Sequence, residues 1–201
     1  MFSFLILLGL VVVAVAWGVG TYNGLVAARN AWRNAFAQID VQLQRRFDLI
    51  PNLVETARRY LAHESETLEA VIAARGAAVS GLAAAKGHAG DADAMARLGQ
   101  AEGVLEGALG RLIMVSEAYP ELKADQTMAQ LTEELTSTEN RLAFARQAYN
   151  DAVMAYNNKR EMFPSSLVAG NFGFDPAAML SIPADRPEMR QVPRVRFGEG
   201  A

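Results

Sequence analysis

The chain has 201 residues, about half of them apolar, no cysteine, and a formal net charge of -3. That length suits one domain with a sizeable core plus an appendage and is short for two independent domains. Without cysteine, disulfides, thiol catalysis and thiolate metal sites are excluded, and with charges of both signs interspersed there is no basic block of the kind that neutralises nucleic-acid phosphates.

From Met1 to Ala28 no side chain is charged, and Phe2 to Val19 is almost unbroken hydrocarbon. A helix rising ~1.5 Å per residue crosses a ~30 Å hydrocarbon core in roughly 20 residues. Residues 1–20 are therefore expected to form a transmembrane helix, with Trp17 and Tyr22 as interfacial aromatic anchors. Ala14-Val15-Ala16 resembles a signal-peptide cleavage site, but the basic region that precedes one is missing and the apolar run continues past it. The nearest cations, Arg29, Arg33, Arg45 and Arg46, follow the run, which by the positive-inside rule places the body in the cytoplasm and the N-terminus outside.

Beyond the anchor, Leu25, Ala28, Trp32, Phe36, Ile39, Leu43, Phe47 and Ile50 recur at spacings of three and four, so the anchor helix is expected to continue without a hinge. Further stripes run through Leu53, Ala57, Leu61, Leu68 and Ile72, through Leu98, Ala101, Leu105, Leu109 and Leu112, and through Leu131, Leu135, Leu142, Ala145, Tyr149, Val153 and Tyr156. Residues 21–163 are thus expected to form an elongated antiparallel bundle of four long helices, making the chain all-α. The breakers fall between the stripes: Asp48 and Pro51, then Gly87 to Asp93, then Tyr119-Pro120. Pro51 marks either a helix start or a kink.

Residues 164–201 hold five of the seven prolines, with glycines among them, and are read as a Pro/Gly-rich tail. Arg194 to Phe197 alternates as a short strand would, with Val195 and Phe197 on one side; an isolated strand is unstable, so this segment is either disordered or paired with another copy.

Several groups are candidates for chemistry or contact. Arg45, Arg46, Asp48, Pro51 and Asn52 sit together at the first junction, where an arginine fork suits an ion pair with Asp48, Glu134 or Glu139, or a lipid phosphate. Tyr149-Asn150 and Tyr156-Asn157 repeat seven residues apart on one face of the last helix, echoing Tyr22-Asn23. Buried, they need hydrogen-bond partners and would fix helix register. His63-Glu64 lacks the second histidine of a zincin, since Thr67 stands there. Tyr60 and Ala85, three residues before His63 and His88, exclude the Glu-x-x-His pairs of a di-iron bundle. No cofactor or metal is expected, and nothing positive points to an enzyme. Gly99, Gly103, Gly107 and Gly110 form a band on the third helix, each costing roughly 1 kcal/mol of helix stability relative to alanine. Close packing against a second subunit would account for them, and Gly20 to Gly24 could bring neighbouring anchors together.

The block Arg45-Arg46-Phe47-Asp48-Leu49-Ile50-Pro51-Asn52-Leu53-Val54 resembles the first half of the LemA family, together with Tyr22-Asn23, Ile39-Asp40, Tyr60 and His63-Glu64. Tyr119-Pro120-Glu121-Leu122-Lys123, Thr138-Glu139-Asn140-Arg141, Phe144-Ala145-Arg146, the Tyr-Asn pairs, Phe163-Pro164-Ser165 and Phe172-Gly173-Phe174 resemble its second half; Met128 departs from the family's usual aromatic. The resemblance implies a bacterial inner-membrane protein, anchored at its N-terminus, with a helical bundle and no established enzymatic activity. It also implies relatedness to a protein of magnetosome membranes and a link with HtpX-type membrane metalloproteases. The expected function is that of a scaffold that self-associates at membrane lipid. The alternative is an adaptor for a membrane protease or another envelope protein.

Overall fold

The computed structural model describes residues 1–182, and among these the chain is all helical apart from its turns and final stretch. Helix α1 spans Phe2–Arg58, α2 Ser65–Gly87, α3 Ala92–Ser116, α4 Pro120–Lys123, α5 Gln126–Glu161 and α6 Ser165–Asn171, after which residues 174–182 form a strap without regular structure. The segment carrying Val195 and Phe197 lies outside the described residues.

Helix α1 is continuous for 57 residues, roughly 85 Å at 1.5 Å per residue. Its first two dozen residues project from the body with their large apolar side chains exposed, Phe2 by 83% and Val13 by 67%. From Leu25 onward one face is buried, through Trp32, Phe36, Ile39, Leu43, Phe47 and Ile50, as the three-and-four spacing requires. The expected absence of a hinge is observed.

The four long helices alternate in direction. Antiparallel to α1, α5 brings Glu134 to Arg45, Glu139 to Arg46, and Tyr149 and Tyr156 to Trp32. Helix α2 returns along α1, placing Arg75 on Phe47 and Lys86 2.9 Å from Asp40. Against α2, α3 runs back, with Leu98 and Ala101 beside Gly81. Two turns are sealed by side chains: Asp91 accepts from the Ala94 amide at 2.8 Å at the start of α3, and Asp125 from the Met128 amide at 2.9 Å at the start of α5. Gly90, in the α2–α3 turn, has a φ of +90°, and a Cβ there would meet the Trp32 ring at 2.9 Å, so both the backbone and the space demand glycine.

Two expectations are corrected. Of the two readings of Pro51, the helix start is excluded: α1 passes through it to Arg58, and the chain turns at residues 59–64. Leu53 and Ala57 therefore belong to α1, Leu61 packs in the turn, and the buried face of α2 is Leu68, Val71, Ala74, Ala78, Leu82 and Ala85, with Ile72 45% exposed on the other side. The body also does not end at residue 163. Val168, Ala169, Phe174, Ala177 and Leu180 are buried in the same core as the long helices, so residues 164–182 are part of it.

Candidate functional site

The proline in α1 leaves the Phe47 carbonyl without its helical donor, because proline has no N–H to offer the residue four before it. Arg75 on α2 fills the vacancy, its Nε donating to the Phe47 oxygen at 2.7 Å. The helix continues past Pro51, and α2 is pinned to α1 where the ladder is interrupted. Asp48 and Asn52, on either side, are exposed, and Asp48 makes no ion pair among the described residues.

The arginine pair divides its work. Arg45 reaches Glu134 at 3.8 Å on the surface, a contact worth at most about 1 kcal/mol. Arg46 is buried, and its two terminal nitrogens meet Glu102 at 3.2 Å and Glu139 at 3.0 Å. Glu102 is 1% exposed and its Oε1 has no hydrogen-bond partner. Burial pushes its carboxyl up to about 7, against the lowering influence of Arg46 and with a further push from the carboxylates of Glu139 and Glu106. Glu139 was an expected partner of the fork; Glu102 was not.

The tyrosine–asparagine pairs grip the strap. Tyr149 Oη donates to the Ala178 carbonyl at 2.7 Å and Tyr156 Oη to that of Asp175 at 2.8 Å. Asn157 donates to the Ala177 carbonyl at 2.8 Å while accepting from its amide at 3.0 Å. Asn150 does the same to Leu180 at 3.1 and 2.9 Å. Each asparagine satisfies both backbone groups of one strap residue, the pairing a β-ladder would otherwise supply. Seven helical residues cover roughly 10 Å, matched by three strap residues at ~3.4 Å each, so the strap is extended and in register with the repeat. Arg160 Nε adds a bond to the Phe174 carbonyl at 2.7 Å, and the Ala178 amide donates to Gly90 at 2.8 Å. Burial raises the Tyr149 hydroxyl to about 12, which keeps it a donor throughout the ordinary pH range.

The glycine band of α3 is split. A Cβ on Gly99 would collide with the Ser181 carbonyl oxygen, so here the close approach is made by the chain's own strap and not by a second subunit. Gly103 and Gly110 are half-buried, and Gly107 is exposed with open space beside it. At the far end of the body Tyr60 donates to Asp125 at 2.9 Å and Tyr119 to Glu64 at 3.3 Å, which uses Glu64 structurally; His63 is exposed. Among the described residues no three His, Asp or Glu side chains are gathered as metal ligands would be.

An exposed apolar helix that runs on into a helical body, whose tyrosine and asparagine pairs hold its own strap, defines a helical protein suited to a membrane. The chain belongs to the LemA family, whose sequence model matches residues 35–197. It is also similar to magnetosome protein MamQ 2 of Paramagnetospirillum magneticum, with 29% identity over 171 residues that cover 76% of this chain and 62% of the relative. Magnetosome protein MamQ of Magnetospirillum gryphiswaldense is 28% identical over 168 residues, with the same coverage. The chain thus spans 62% of the length of these relatives.

Proposed function

We propose that this protein is a non-enzymatic scaffold, held in a bacterial membrane by α1, whose copies associate laterally and so organise or shape a patch of bilayer. The observation that carries the reading is the outer face of α2. From Gly76 to Ala85 no residue is charged, and Ile72, Gly76, Val79 and Ala83, spaced by four, three and four, lie exposed on the side away from the core. The outer face of a helix in contact with water is ordinarily polar. A helix apolar on both sides, with one side buried and one bare, is suited to a second partner, and Gly76 lets that partner come close. Anchoring confines the copies to a plane, which raises their effective concentration for such contacts. The likeness to proteins named for the magnetosome supports a part in a larger structure.

The test is the native mass of the full-length protein extracted gently from membranes, beside Val79→Glu. Val79 is 39% exposed on that face, so the charge leaves the fold intact while burdening any interface with a desolvated carboxylate. A large particle of defined copy number that falls to a monomer or dimer in the variant, at unchanged helicity, is the expected outcome. A monomeric parent that co-purifies with a membrane protease would replace this reading with that of an adaptor.

A further inference from the structure

The α5–α6 corner carries four large apolar side chains in the open: Met162 is 63% exposed, Phe163 80%, Leu167 58% and Phe172 62%. They lie within eleven residues of chain at one end of the body, folded around the short α6. Tyr22 of α1 packs edge-on against Phe172 at 5.3 Å and Phe174 at 5.5 Å between ring centroids. The end in question is therefore the one from which the apolar part of α1 emerges.

The height of the corner follows from the register. Trp32 of α1 is 6.3 Å from both the Tyr149 and Tyr156 rings of α5, and the Lys159 Nζ reaches Gly24, which sets the register of these antiparallel helices, so each further residue of α5 descends ~1.5 Å toward the apolar run. Met162 comes level with about Thr21, and the Tyr22 contact holds Phe172 at nearly the same height. A hydrocarbon core of ~30 Å beginning at Phe2 ends after roughly 20 residues, at that same level. The patch is thus continuous with the exposed apolar surface of α1 and sits at the depth where aromatic and basic residues meet lipid headgroups. Lys159 and Arg160 stand in the last turn of α5 just above it.

We propose that Met162, Phe163, Leu167 and Phe172 form a foot that enters the lipid interface beside α1, giving the body a second membrane contact. The inference rests on the reading of α1 as the membrane anchor. One rigid helix alone leaves its tilt and its rotation about its own axis free. A second apolar contact to one side sets the tilt and the side of the body turned toward the bilayer, and so the inclination at which the outer face of α2 is presented to a neighbouring copy.

The absence of cysteine from the chain permits single-cysteine labelling. Full-length Phe163→Cys and Leu167→Cys, each carrying an environment-sensitive fluorophore, are reconstituted into phosphatidylglycerol–phosphatidylethanolamine vesicles containing lipid spin-labelled near the top of its acyl chain. Val11→Cys reports the anchor, and Met114→Cys, 67% exposed near the opposite end of the body, reports water. The expected result is blue-shifted emission at 163 and 167 with loss of most of the signal to the lipid quencher, while 114 is untouched. Adding Leu167→Asp should return the label at 163 to water. Emission at 163 and 167 matching that at 114 overturns the foot and leaves the anchor standing if Val11 is shielded from water. A blue shift without lipid quenching also overturns it, since protein and not lipid then covers the patch. A water-exposed Val11 overturns the anchor and the foot together.

Discussion

Glu102 occupies a core position with a charged side chain. It falls four residues after Leu98 and three before Leu105, in the buried register of α3, with Arg46 its bonded partner and Glu139 sharing that arginine. Its carboxyl is raised from 4.5 to about 7, so between those values the folded protein holds a proton that the unfolded chain has released. Stability from this group is therefore full below pH 4.5, declines as pH rises, and is lost above 7, a span of roughly 3 kcal/mol at ~1.4 kcal/mol per unit. Denaturant unfolding from pH 4.5 to 8 should show Glu102→Gln flattening this decline and matching or exceeding the parent at pH 8; a parallel, lower curve would be the contrary result. Arg46→Met should lose about 3–5 kcal/mol at pH 8 and less at pH 5, where Glu102 is neutral. The signal for Glu102 was present in the sequence, since a glutamate in step with Leu98, Leu105 and Leu109 is a buried glutamate; only its partner, 56 residues away, required the structure. Arg75 is the opposite case. Nothing in its surroundings links it to Phe47, yet the proline that orphans that carbonyl requires some donor. Arg75→Met should cost about 1–3 kcal/mol, and much less in a Pro51→Ala background, where the restored N–H serves Phe47. A double-mutant cycle with no coupling would separate the two residues.

The helices could be read because their spacing is local, and the strap could not, because nothing along residues 174–182 repeats. What determines the strap lies on α5, in the seven-residue recurrence of Tyr149-Asn150 and Tyr156-Asn157. From sequence that recurrence establishes burial and a need for hydrogen bonds, and the partner could as well have been a helix. Pro51 stayed open between a helix start and a kink for a related reason: a proline interrupts the ladder by itself, and whether the helix runs on depends on another element capping the freed carbonyl. Asn157→Ala removes both bonds to Ala177 and should release the strap with little effect on the long helices. Hydrogen exchange should show the amides of Ala177, Ala178 and Leu180 losing protection together, with those of α1 and α5 unchanged. Gly99→Leu should do the same by sterics, because the new side chain would occupy the position of the Ser181 carbonyl. Melting of the whole body in either variant would mean that the strap is integral to the cooperative unit and not clipped onto it.

At the scale of the whole molecule, α1 carries its exposed apolar run into the body as one continuous helix, so if that run is the anchor proposed above, faces that point sideways on the body point sideways in the plane of the bilayer. Two such faces compete as the contact between copies: the uncharged side of α2, and the part of α3 around Gly107, where Val104 is also exposed. Gly107 distinguishes them because its substitution acts in opposite directions in the two cases. In a free helix surface, Gly107→Leu fills open space and removes a residue that costs a helix about 0.8–1.0 kcal/mol, so thermal unfolding should rise by a few degrees. If α3 were the interface, the same leucine would separate backbones that the glycine lets touch, and the particle would shrink. Association through α2 predicts that Gly107→Leu melts higher at unchanged native mass, whereas Val79→Glu falls to small species without loss of helicity. The reverse pattern, a dissociated Gly107→Leu beside an intact Val79→Glu particle, would move the contact to α3 and leave the bare face of α2 in need of another partner.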